Sequence, residues 1–149
     1  MKKIFLIIIF IILIALTFFL LKPNQDSTSK EEFVFPTPLS VHFTAHFEIY
    51  TLGTKRIFTD SKYHNLSPDV YISSAEPSTV HIMAKGVTWN NFFSTLPMKL
   101  DKECLTTGTG QKFCTNEKNK LKFFLNEQEN PNALDSEIKS NDKLQVIYE

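Results

Sequence analysis

The chain has 149 residues, 42% of them hydrophobic and 21% charged, with 16 basic and 16 acidic side chains. Setting aside an apolar run at the start and a short polar stretch after it leaves about 110 residues, enough for one core and too few for two domains. Two of the basic residues precede the run, so the remainder is near neutral and slightly acidic. It has no basic stripe to neutralise phosphates, which argues against nucleic acid as a partner.

The apolar run occupies residues 4–21, opening at Ile4 behind Met1, Lys2 and Lys3 and closing at Leu21 before Lys22 and Pro23. At ~1.5 Å per residue such a helix spans about 27 Å, roughly the hydrocarbon thickness of a bilayer, so the run predicts a transmembrane helix. It is longer than the usual core of a cleaved signal, no Ala-x-Ala site follows it, and no cysteine lies near residue 20 to carry a lipid. A retained signal anchor is therefore expected. Lys2 and Lys3 favour the cytoplasm for the short side, which makes the chain a single-pass protein of the cytoplasmic membrane with its domain outside. The expected organisation is an anchor at 1–22, a flexible stalk at 23–38 and an extracytoplasmic domain at 39–149. Residues 24–32 are polar and aperiodic, as a stalk requires, and Pro36 and Pro38 favour an extended entry into the domain. Cys104 and Cys114 suit an oxidising compartment.

Within the domain, Val41, Phe43, Ala45, Phe47 and Ile49 alternate with polar residues, the signature of a half-buried strand. Gly53 and Thr54 are expected to turn the chain, with residues 55–59 returning as a hairpin partner. Residues 60–78 read as loop with a short strand at 70–72. A strand at 79–84 would set Val80, Ile82 and Ala84 on one face and His81, Met83 and Lys85 on the other. Thr88 is placed to cap a short helix in which Trp89, Phe92, Phe93 and Leu96 recur at helical spacing, and Pro97 stops it. Such a stripe on a short helix is expected to cover a sheet rather than to bind a ligand.

Residues 98–115 predict a hairpin. Counting inward from Cys104 and Cys114 pairs Leu105 with Phe113, Thr106 with Lys112 and Thr107 with Gln111, and leaves Gly108, Thr109 and Gly110 at the tip. That register brings the cysteines into cross-strand bonding distance, as a staple and not a redox centre, since the spacing is not Cys-x-x-Cys. Strands are expected at 120–125 and 143–148, the second entered through a turn at Ser140, Asn141 and Asp142. The predicted class is mainly β, or α+β: a transmembrane helix followed by a small antiparallel sheet with one short covering helix.

No Gly-x-Ser-x-Gly elbow, phosphate-binding glycine loop or His-Glu-x-x-His sequence is present, and no nucleophile, base and orienter can be assembled, so a non-catalytic module is expected. Asp101 and Glu103 read as solvent-facing hairpin residues. Among four histidines, His42 and His46 share the polar face of the first strand, but at ~3.4 Å per residue they stand roughly 13–14 Å apart and cannot chelate as a pair. A cross-strand set is the better metal candidate, if the two strands are neighbours with the same face turned out: His46 and Glu48 on one, His81 and Met83 on the other, with His42 or His64 as further ligands. Imidazole with thioether favours copper, and imidazole with carboxylate favours zinc.

Val80-His81-Ile82, the run 87–93, the strand 121–126 and the closing stretch 139–148 resemble a group of uncharacterised, membrane-anchored, extracytoplasmic His-bearing β-rich domains of archaea and candidate-phyla bacteria. Those domains carry a His-x-His pair in the first strand and a His-Thr-His-Asp stretch in the middle, which implies metal binding for the group. This chain departs at both places: Thr44 stands between His42 and His46, and the middle keeps only His64. The primary expectation is a membrane-tethered binding or interaction module, with a protein partner at the cell surface. The alternative is a copper or zinc domain.

Overall fold

The computed structural model describes residues 41–149. The anchor expected at 4–21 and the stalk at 23–38 lie outside them. Among the described residues, no helix is long and apolar enough to cross a membrane.

β1 (Phe43–Thr51) realises the alternation: Ala45, Phe47 and Ile49 are buried, while His46 between them is exposed. β2 (Thr54–Lys55) returns beside it but is shorter than the expected 55–59. The turn is centred one residue earlier than expected, because Thr51 pairs with Thr54 and Leu52 and Gly53 form the corner, both with positive φ. β3 (Val70–Ile72) falls where the sequence placed it, and β4 (Thr79–Ile82) stops two residues short of 84. α1 (Trp89–Thr95) is capped by Thr88, whose hydroxyl accepts from the Asn91 amide while the Asn91 side chain accepts from the Thr88 amide. This reciprocal arrangement satisfies donors that a helix start otherwise leaves bare.

β5 (Lys99–Leu100), β6 (Cys104–Thr106) and β7 (Lys112–Cys114) make a separate three-stranded antiparallel sheet. Its hairpin has the expected register, with Cys104 opposite Cys114, Leu105 opposite Phe113 and Thr106 opposite Lys112. The disulfide is formed across the strands. The two tip glycines have different work. Gly110 takes the left-handed conformation at φ 86°, closing a turn in which its amide donates to the Thr107 carbonyl. Gly108 needs to be small: a β-carbon there would lie 2.5 Å from the Tyr63 hydroxyl and 3.0 Å from the Pro97 carbonyl oxygen. Asp101 is exposed, as expected, and it also holds the β5–β6 turn by accepting from the amides of Glu103 and Cys104.

β8 (Leu121–Leu125), β9 (Gln128–Glu129) and β10 (Lys143–Tyr148) complete the main sheet, whose order is β3-β4-β1-β10-β8-β9 with β2 also on β1. This sheet corrects the antiparallel expectation, because β1 and β10 run parallel at its centre, from His46 beside Lys143 to Thr51 beside Tyr148. The physical reason is that side-chain alternation is the same for either strand direction, so the sequence carries no local mark of it. The buried face of the sheet supplies Phe47, Ile72, Val80, Ile82, Leu144 and Val146 to one core. Phe47 is central there, with its ring 5.1 Å from Phe92 and 5.7 Å from Phe93 of α1 and 4.9 Å from Phe58. The aromatic stripe of α1 is therefore core.

Candidate functional site

The opposite face of the main sheet carries the residues that the sequence singled out. On β1 this face holds Thr44, His46, Glu48 and Tyr50, and His42 extends it. Thr44 pairs with His81 and His46 with Thr79, so His46 and His81 stand on neighbouring strands and on one face. They are diagonal neighbours, a geometry that sets α-carbons roughly 7–8 Å apart.

Their imidazoles nonetheless have different partners. His46 shares a 3.2 Å hydrogen bond between Nδ1 and the Thr79 hydroxyl. His81 stands in a row of stacked rings: Tyr71 is on one side at 5.0 Å between ring centres and His42 on the other at 6.2 Å. Tyr71 comes from β3, directly opposite His81 in the register. The His81 side chain is 16% exposed, and its Nε2 lies 3.5 Å from a Glu76 carboxylate oxygen. That distance is too long for a firm hydrogen bond, and Nε2 otherwise has no partner. Glu76 and Tyr71 had no visible signal in the sequence. Tyr71 stands between two buried residues of a three-residue strand, and only the pairing of β3 with β4 brings it to His81.

The remaining expected ligands are engaged elsewhere. Glu48 accepts a close charge-assisted bond from the Lys55 ammonium and a 3.2 Å bond from the Tyr50 hydroxyl. The Lys55 bond chiefly holds the Glu48 carboxyl below the usual carboxylate range; burial opposes it, and Tyr50 and Gln145 add lesser lowering effects. Lys55 is in turn held more basic than an ordinary lysine, chiefly by Glu48. Met83 is half-buried just past the end of β4, where its amide donates to the Asp69 carbonyl. His64 turns inward to its own loop, with Nε2 donating to the Phe58 carbonyl at 2.8 Å. It is therefore a loop fastener. Among the described residues, no group of three His, Cys, Asp or Glu side chains is arranged to hold a metal ion.

Next to His46 the open face dips into a cavity of about 370 Å³ lined by Glu48, Phe124, Glu127, Lys143 and Gln145. Its floor crosses the parallel seam, since Glu48 stands beside Gln145 and Gln145 beside Phe124. One edge is fixed by Asp142, which is buried: its carboxylate accepts from the Asn126 side chain at 2.9 Å and from the Lys139 amide at 2.8 Å. Asn126 also accepts from the Lys143 amide, so one bracket sets both the β8–β9 corner and the start of β10.

The open face thus combines a row of stacked rings, the central one largely buried between its neighbours, with a shallow polar cavity. It supplies hydrogen-bonding groups of both kinds at fixed spacing and contains no assembled nucleophile and base. Searches of protein-family models, of curated proteins and of solved structures found no match to this chain.

Proposed function

We propose that the chain is a non-catalytic interaction module, tethered outside the cytoplasmic membrane by residues 4–21, that binds a protein partner across the open face of its main sheet. The observation that carries this reading is the asymmetry of the sheet. One face is sealed by the aromatic core, while the other leaves His42 and His46 exposed and Tyr71 and Gln145 partly exposed around the largely buried His81 ring. Side chains held by strands rather than by loops keep their spacing without a partner, which lowers the ordering cost of association. The disulfide supports the outer location, because such bonds persist in oxidising compartments.

The test is photocrosslinking of the full chain in cells, with benzoylphenylalanine at Thr44, in the middle of the face, or at Lys118, in a loop. A discrete adduct from Thr44 alone, lost when Tyr71→Ala and His81→Ala are added, is the expected result. Equal adducts from both positions, or none from Thr44, would defeat the reading. The membrane tether predicts that the chain stays in the pellet after alkaline carbonate extraction, and release into the supernatant would remove that part.

A metal-binding reading has one specific support. His42, His81 and Glu76 bring two imidazoles and a carboxylate to one neighbourhood, and His81 Nε2 is unpartnered. A centre there would need His42 to swing out of its stack so that the nitrogens converge. Zinc or copper titration of the purified chain would then saturate, with binding lost in His81→Ala and kept in His46→Ala. Absence of saturable binding ends that reading.

A further inference from the structure

The three-stranded sheet carries a second row of polar side chains, separate from the open face. Lys99 stands opposite Thr106, and Thr106 opposite Lys112. The adjacent row, Leu100, Leu105 and Phe113, is buried, and successive rows point to opposite faces. Lys99, Thr106 and Lys112 therefore share the outer face, about 10 Å from end to end across two strand spacings. Lysine stems are long and flexible, reaching roughly 6 Å, so both ammonium groups can meet one group placed over Thr106.

Both lysines are exposed, and neither is in an ion pair among the described residues, unlike Lys55, Lys62, Lys102 and Lys122. They line a cleft of about 860 Å³ whose apolar wall includes Leu96, Pro97 and Met98. No carboxylate lines this cleft, nor the smaller cavity of about 230 Å³ that shares Met98, Thr107 and Gly108 with it. Acidic residues slightly outnumber basic ones in the described part of the chain, so the local excess of positive charge does not follow from composition. Two like charges facing one concave space focus a field that an anion would relieve.

We propose that this cleft binds a phosphate monoester as its dianion, with the phosphoryl oxygens held by Lys99, Lys112 and the Thr106 hydroxyl and the organic substituent lying against Leu96, Pro97 and Met98. The two cations decide between anions. A carboxylate or sulfate ester brings one negative charge and leaves the second lysine uncompensated, whereas a phosphate monoester above its second pKa of about 6 brings nearly two charges and three acceptor oxygens. Binding then strengthens as pH rises through that value.

The experiment is calorimetric titration of the full chain at pH 7.5 and low salt with phenyl phosphate, and with phenyl sulfate as a monoanion of similar shape. Saturable binding of phenyl phosphate is expected, at least tenfold tighter than that of phenyl sulfate. It should weaken at least tenfold in Lys99→Gln with Lys112→Gln, persist when both lysines are changed to Arg, and be unchanged in Lys118→Gln with Lys139→Gln. The inference is overturned by an absence of saturable binding to the native chain, by equal binding of the two esters, or by equal loss in the two glutamine pairs. The arginine pair separates loss of charge from loss of folding.

Discussion

The two sheets are held together by different means. The three-stranded sheet is local: its strands lie within residues 99–114, the β6–β7 register follows from one tight turn, and a disulfide closes the rung of that hairpin farthest from the turn. The main sheet joins residues 43–51 to residues 143–148, and burial of its inner face on Phe92, Phe93 and the neighbouring core holds the distant segments in place. Covalent closure suits a sheet with little core of its own, and a large apolar face suits one that must recruit strands from far along the chain.

The sharpest way to break that contrast is at Phe47, the ring that joins the main sheet to α1. Phe47→Ala should lower stability by about 3 to 5 kcal/mol in urea unfolding, since it opens a cavity among rings that cannot collapse into it. Asp142→Ala comes next at about 2 to 3 kcal/mol, because it leaves the Asn126 side chain and the Lys139 amide without their acceptor. Hydrogen exchange should show this loss at the ends of β8 and β10, leaving the small sheet protected. Replacing Cys104 and Cys114 together by Ser should cost about 2 to 3 kcal/mol and should loosen mainly β6 and β7. Gly108→Ala should cost about 1 to 2 kcal/mol, read as a lower melting temperature, because the Tyr63 hydroxyl and the Pro97 carbonyl leave no room for a methyl group.

The smallest effect is expected at Glu48. Its folded-state carboxyl is more acidic than in the unfolded chain, so the unfolded state binds more protons in that interval. The Lys55 contact is fully stabilising above the unfolded value, near pH 4.5, and is lost as pH falls through the lower folded value. Because the pair is well exposed, the loss should be about 0.5 kcal/mol or less. Glu48→Gln should remove that part of the acid limb of the stability profile while leaving neutral-pH unfolding nearly unchanged.

The same contrast explains what could be read beforehand. The hairpin register, the Thr88 cap, β3 and β10 are local consequences of alternation, turn residues and capping chemistry, and each was legible. The parallel pairing of β1 with β10 was not, because it depends on which distant segments bury each other. β9 was missed because its corner is made by Asn126 and Glu127, both at positive φ, and glutamate there gives no turn signal. For the candidate site, alternation marks the polar face of each strand, but only the pairing of β1 with β4 makes His46 and His81 neighbours on one face. Nor did the pattern show that Thr79 would take one ring and that Tyr71 and His42 would flank the other. Asp142 was read as a turn residue only, since side-chain brackets between separate corners leave no periodic trace.

The side-by-side placement of β1 and β10 also sets an order of events during biogenesis. Until residues 143–148 have been synthesised, β1 lacks its parallel neighbour, and the apolar face that would compact the earlier strands stays incomplete. Sequence-distant central partners make closure of this sheet a late step in folding, because the intervening loop must be closed before their pairing is rewarded. Late closure leaves a period in which the unpaired edge of β1 is open to proteases and to pairing with other chains.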